Sequence, residues 1–434
     1  MLKDKIHFLS ESFFDPVGRV FFLRDRVFRA IEADYVQATL DFLKSPLFHE
    51  LQKRKWLVKT WVSHDVQVNG YDLILEHERV KCISPSIWTF SQLKDAILFN
   101  MQIDNLCQEY GTRLRDARYS NITFIDGSPI FVDFGSFVGN LECYLEKDFY
   151  LLVYPPLYWY SKREFMLSRI WQEKALDYYR TNQVAPMKVI EDSMFYKNLY
   201  SHKVKYYDIH IRQKYPHFKI YSNCGIEILR GINLIARRLL VKDSIWKLFK
   251  YEAIYKYPKT DFIVKVKSPY LLTDNYTYPE EQLDTIQFSR SMLNDTNLKS
   301  IMLYGNFSYE NIKEIRSQFI GEIIIVSPDY IYTDRLYLKA KEDNININVV
   351  CCNILTETSD IILKELSVDI LIINNFLITL SFATANSAYK VVSQCHRLCK
   401  YLYVGNKEFI EGLLSKGFYN HYKNTKYENL FESI

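Results

Sequence analysis

The chain has 434 residues, 48% of them hydrophobic and 24% charged, with a formal net charge of +4 at pH 7. That length predicts two or three domains with cores of their own, and 13 Gly and 12 Pro exclude long low-complexity stretches. So small a positive excess does not call for nucleic acid as a partner. The eight cysteines form no CxxC pair, and Cys395 and Cys399 make a lone CxxxC on a predicted helix, which reads as core packing. No apolar segment follows Met1, and the most apolar run, 368–385, is broken by Asp369, Asn374 and Asn375. Neither a signal peptide nor a membrane span is therefore expected, and a reduced cytoplasm is the expected compartment.

Residues 18–31 alternate and read as two strands turning at Arg24-Asp25, followed by a helix from Ala33 to Leu43. Two further strands are predicted over Trp56–Trp61 and Tyr71–Glu76, the second running into Glu76-His77-Glu78. From Ser91, read as a helix cap, to Tyr110 the apolar residues Leu93, Ala96, Ile97, Met101 and Leu106 recur on one helical face. That helix feeds Arg115-Asp116. Next, Ile122–Ile125 and Pro129–Val132 flank Asp126-Gly127, a strong two-residue hairpin signal, so folding brings Asn121 close to Asp133.

An Asp with an Asn five residues later, then Asp133-Phe134-Gly135 after a hairpin, has the layout of a kinase catalytic centre. In that chemistry one carboxylate orients a hydroxyl, while an amide oxygen and a second carboxylate hold magnesium against nucleotide phosphates. Residues 1–160 thus resemble a divergent protein-kinase or aminoglycoside-phosphotransferase domain. Together with Asp15-Pro-Val-Gly-Arg-Val-Phe, Arg26–Ile31 and Leu75-Glu-His-Glu78, they are similar to bacterial two-part proteins. In those proteins a kinase-like region precedes a class I methyltransferase-like one. The resemblance implies Asp116 as catalytic base, Asn121 and Asp133 as magnesium ligands, and Glu76 at an adenine-contacting hinge. The first hairpin carries Arg24-Asp25 instead of a glycine-rich loop, which leaves Arg29, ahead of Lys59, to contact phosphate.

Residues 137–185 are aromatic and predicted helical; over 186–267 seventeen Lys/Arg face seven Asp/Glu. Residues 161–267 read as a basic, helical continuation or linker, whose charged face is either solvated or docks an anionic surface or a protein partner.

Strand and helix signals alternate over 268–434: Ser300–Tyr304, Tyr309–Gln318, Glu322–Val326, Arg335–Asp343, Ile345–Cys352, Asp360–Leu366, Val368–Asn374, Ala385–Cys399 and Tyr401–Val404. Such alternation predicts a doubly wound, Rossmann-like sheet, and its order resembles a class I S-adenosylmethionine-dependent methyltransferase. The cofactor motif is degenerate. A single glycine, Gly305, follows the first strand, Ser327 stands where an acid is expected with Asp329 two residues on, and Asn353 and Asn374-Asn375 end later strands. The fold class expected is therefore α/β and α+β, a kinase-like domain followed by a Rossmann-like domain. The activity expected is magnesium- and ATP-dependent phosphoryl transfer to a hydroxyl of a glycan, lipid-linked sugar or small metabolite. S-adenosylmethionine-dependent methylation of a sugar or polysaccharide is the alternative, and a non-catalytic adaptor the second.

Overall fold

A computed structural model describes residues 6–13, 15–139, 298–354, 360–373, 393–404, 421–427 and 430–434. Contacts group the chain into two compact units. One holds Met1–Phe99, Ser120–Gly139 and Ser268–Ile434; the other holds Asn100–Tyr119 and Asn140–Lys267. The aromatic stretch beyond Gly139 and the basic 186–267 segment lie outside the described residues, as do Asn374-Asn375.

In the first unit, the amino-terminal residues form an antiparallel sheet of order β1-β2-β3-β5-β4. Its strands are β1 (His7–Phe8), β2 (Gly18–Leu23), β3 (Arg26–Ile31), β4 (Thr60–Val62) and β5 (Leu73–His77). The expected β2–β3 turn is present, with Arg24 in the left-handed region at φ 57°. The helix after β3 is split by Ser45-Pro46 into α1 (Val36–Lys44) and α2 (Pro46–Lys53). Ser45 caps α2 by accepting from the Phe48 amide at 3.1 Å, and Pro46 sits where a helix has no amide to lose. The strand expected over Trp56–Trp61 is shorter, because Lys55 turns left-handed at φ 57° and Leu57 bridges to Phe131 instead.

Helix α3 runs Phe90–Glu109, capped by Thr89 rather than Ser91. The Thr89 hydroxyl accepts the Gln92 amide at 3.2 Å while the Gln92 side chain accepts the Thr89 amide at 2.9 Å, a reciprocal capping box. The hairpin follows as β6 (Ile122–Ile125) and β7 (Ser128–Phe131), turning at Asp126 (φ 50°) and Gly127 (φ 77°), the double left-handed turn that Asp-Gly favours.

The carboxy-terminal residues build a seven-stranded sheet of order β10-β9-β8-β11-β12-β14-β13. Strands β8 (Ser300–Tyr304), β9 (Glu322–Ser327), β10 (Asn348–Cys351), β11 (Val368–Ile373) and β12 (Cys399–Val404) run parallel. Strand β14 (Leu430–Ser433) is antiparallel to both β12 and β13 (Tyr422–Asn424). Between the strands lie α4 (Tyr309–Gln318), α5 (Tyr330–Glu342) and α6 (Asp360–Glu365). Ile323, Ile324, Ile325 and Val326 are all at most 1% exposed, as expected of a strand covered on both faces. Each such side chain contributes roughly 1.5–3 kcal/mol of burial. The chain is thus mixed α/β with a mostly parallel, Rossmann-like sheet. Cys395 and Cys399 are buried, the Cys399 thiol donating to the Cys395 carbonyl at 3.2 Å. Among the described residues no helix is long and apolar enough to cross a membrane.

Candidate functional site

Strand β8 pairs with β9 on one side and β11 on the other, so the chain reverses its direction of winding there. In open α/β sheets the crevice beyond the carboxyl ends of the strands at such a reversal is where ligands bind. The residues at this edge are tied together. Gly305, with φ 126° that only glycine adopts readily, donates its amide to the Val326 carbonyl at 2.8 Å. The Ser327 hydroxyl donates to Asn306 Oδ1 at 2.7 Å, and Asn306 Nδ2 donates to Asp329 Oδ2 at 3.3 Å. Asp329 Oδ1 accepts the Ile331 and Tyr332 amides at 2.9 and 3.0 Å, making Asp329 the cap of α5. Beyond β10, Asn353 Oδ1 accepts the Tyr304 hydroxyl at 2.9 Å. Burial and neighbouring thiols push the Tyr304 hydroxyl far above its ordinary range, so it stays a neutral donor.

Tyr332 closes this edge from the helix side. Its hydroxyl accepts the Phe307 amide and donates to the Phe307 carbonyl, both at 2.9 Å. Gly305 and Asp329, singled out in the sequence, therefore share one edge with Ser327 and Asn353. Asn306 and Tyr332 were not foreseen; an Asn beside the glycine, and a Tyr three residues after a capping Asp, were the signals available.

The kinase-type residues sit elsewhere. Arg29 on β3 is 5% exposed and forms ion pairs with Asp15 and, at 2.9 Å, with Asp133. Asp133 Oδ1 also accepts the Gly135 amide at 3.2 Å, and Oδ2 accepts the Ser136 hydroxyl at 2.5 Å, capping a turn over Phe134–Phe137. Phe134 is fully buried, packing on Phe42, Phe48 and His77 with ring centroids 5.3, 6.3 and 6.0 Å away. The carbonyl of Asn121 accepts the Val132 amide at 2.8 Å, so the hairpin does bring the two ends of this segment together. Asp116 falls in the other unit and pairs with Arg118 at 3.4 Å. Glu76 is buried, accepting Arg26 at 2.7 and 2.6 Å and the Trp61 indole at 3.1 Å, and Lys59 is exposed.

No protein-family model matches the chain. Among curated proteins it is similar to the nodulation protein NoeA of Rhizobium meliloti (strain 1021), 29% identical over 131 residues. The match covers 29% of this chain and 27% of that protein, so the chain spans about a quarter of the relative's length. Among solved structures it is similar to the N-terminal domain of EvdMO1 with S-adenosylhomocysteine bound, at 10% identity and a TM-score of 0.21. That likeness covers 29% of this chain and 59% of the other. It is similar also to a putative zinc-dependent alcohol dehydrogenase from Rhodobacter sphaeroides, at 11% identity and a TM-score of 0.23, over 32% of this chain and 57% of that one.

The expectation of a magnesium- and ATP-dependent phosphotransferase is corrected. The curated relative is a nodulation protein, where that expectation called for a phosphotransferase. The structure supplies the physical reason. Both oxygens of Asp133 accept hydrogen bonds from its own turn, and Arg29 is paired with Asp133 and Asp15. ATP and magnesium are withdrawn as cofactors, and a kinase-like domain is not shown.

Proposed function

We propose that the seven-stranded sheet binds S-adenosylmethionine at its carboxyl edge and that the protein is a methyltransferase. The observation that carries this reading is the strand order β10-β9-β8-β11-β12-β14-β13, with β14 the antiparallel member, which resembles the sheet of class I methyltransferases. The residues at the edge fit such a cofactor in kind. Gly305 allows close backbone approach, and half-buried Asp329 offers a carboxylate oxygen that accepts the Asn306 amide at a long 3.3 Å. Half-exposed Asn353 supplies an amide at the end of β10. Asp329 and Asn306 would hold the ribose hydroxyls, with Gly305 against the cofactor backbone. Bound S-adenosylmethionine supplies an electrophilic methyl group on a sulfonium.

Calorimetry of the full chain with S-adenosylmethionine and S-adenosylhomocysteine tests the reading. Binding of both is expected, weakened about tenfold or more in Asp329→Ala, since a lost charge-assisted hydrogen bond is worth roughly 1.5–3 kcal/mol. Wild-type protein that binds neither contradicts it.

A further inference from the structure

Helix α5 begins at the cofactor edge, and its buried face is tied to the amino-terminal end of α3. Asp334, wholly buried on α5, accepts the Ser91 amide at 2.7 Å through Oδ1 and the Ser91 hydroxyl at 3.1 Å through Oδ2. Ser91 is the second residue of α3, so Asp334 supplies, from another helix, the negative charge that a helix start favours. One turn further, Asp95 Oδ2 accepts the Tyr337 hydroxyl and the Lys341 ammonium, both at 2.6 Å. Gln92 reaches past α5 to the Val349 carbonyl on β10 at 3.0 Å. The Phe124 ring packs edge-on against both Trp88 and Tyr337, with centroids 5.1 and 6.0 Å away. A buried carboxylate is stable only when its hydrogen bonds are satisfied. The two bonds to Ser91 help to satisfy the Asp334 carboxylate and tie α5 to the start of α3.

The same helix carries two groups at the proposed cofactor edge. Asp329 caps α5, and Tyr332, two residues before Asp334, clamps Phe307 in the loop after Gly305. We infer that Ser91 is a positioning residue for the cofactor edge, acting through Asp334 to hold Asp329 and the Phe307 loop in place. This rests on the methyltransferase reading for the ligand it serves, but the mechanical tie stands apart from it.

The test uses the full chain in two arms. In the first, hydrogen exchange is followed at the Ile331 and Tyr332 amides, which Asp329 caps. Ser91→Ala is expected to speed their exchange about tenfold, the loss of one hydrogen bond to a charged acceptor, and Ser91→Thr, which keeps the hydroxyl, to restore it. The backbone amide at position 91 can still donate to Asp334 in both variants, so retention of the fold is the expected outcome. Tyr337→Phe, which removes a tie farther along α5, is expected to move these amides less. In the second arm, S-adenosylhomocysteine affinity should fall several-fold in Ser91→Ala and recover in Ser91→Thr. Unchanged exchange in Ser91→Ala overturns the inference, whatever the ligand does. Altered exchange with unchanged affinity overturns the link to the cofactor. Wild-type protein that binds no S-adenosylhomocysteine defeats the methyltransferase reading instead, and the exchange arm alone then decides the tie.

Discussion

Arg29 lies between Asp15 and Asp133, beside a histidine that cannot easily take a proton. Burial, and then the Arg29 charge, pull the His77 pKa down to about 3 against the opposing pull of Asp133. Its Nδ1 is 2.8 Å from the Thr60 hydroxyl, while Nε2 is buried and finds no hydrogen-bond partner among the described residues. A histidine whose folded-state pKa is depressed binds its proton more readily when unfolded, so stability falls as pH drops below the unfolded value near 6.5 and keeps falling towards about 3. Between pH 6 and 4, denaturant titrations should show wild type losing roughly 1.4 kcal/mol per pH unit more than His77→Gln, from one extra proton taken up on unfolding. Identical pH slopes would show that His77 takes its proton in the folded state. Asp133→Ala, which removes one of the two carboxylates on buried Arg29 and leaves Asp15 to balance its charge, should cost about 2 kcal/mol by equilibrium denaturation through the lost charged hydrogen bond. A change within about 0.5 kcal/mol would mean that the pair contributes little.

Among the elements, those with strong local signals were legible in the sequence. Strand β8 and helix α4 fall on Ser300–Tyr304 and Tyr309–Gln318 as expected, because continuous apolar runs and a clear Ser308 cap fix them. The β6–β7 hairpin followed from Asp126-Gly127. Helix α2 was missed because its apolar residues continue those of α1 and only Pro46 marks the break. Strands β13 and β14 were missed because they are short, and β14 owes its place to pairing with β12, a contact distant in sequence. The start of α3 was misread by two residues, since Thr89 and Ser91 are both good caps and only the reciprocal bond with Gln92 decides between them. Thr89→Ala should therefore cost about 1 kcal/mol in denaturant titrations; an unchanged midpoint would remove the capping box from the account.

At the scale of the whole molecule, the Asp133-Phe134-Gly135 part of the pattern that suggested a nucleotide centre makes contacts that tie the fold together. Asp133 caps its own turn and neutralises Arg29, and Phe134 fills the core between α1, α2 and β5. A sequence pattern records which residue types occur at which spacing, and turn caps use the same Asp and Gly that metal sites use. What decides between those uses is the partner supplied from far away, here Arg29, 104 residues earlier. The carboxyl edge of β8 and β9 shows the converse. Its motif looked worn, yet Ser327, Asn306 and Asp329 form a connected set once β8 and β9 lie side by side. The most direct measurement is isothermal titration of the full chain with S-adenosylhomocysteine, run beside magnesium-ATP and repeated on Asp329→Ala. The account predicts binding of S-adenosylhomocysteine that Asp329→Ala weakens about tenfold or more, and no binding of magnesium-ATP. Binding of magnesium-ATP, with S-adenosylhomocysteine left unbound, would contradict it.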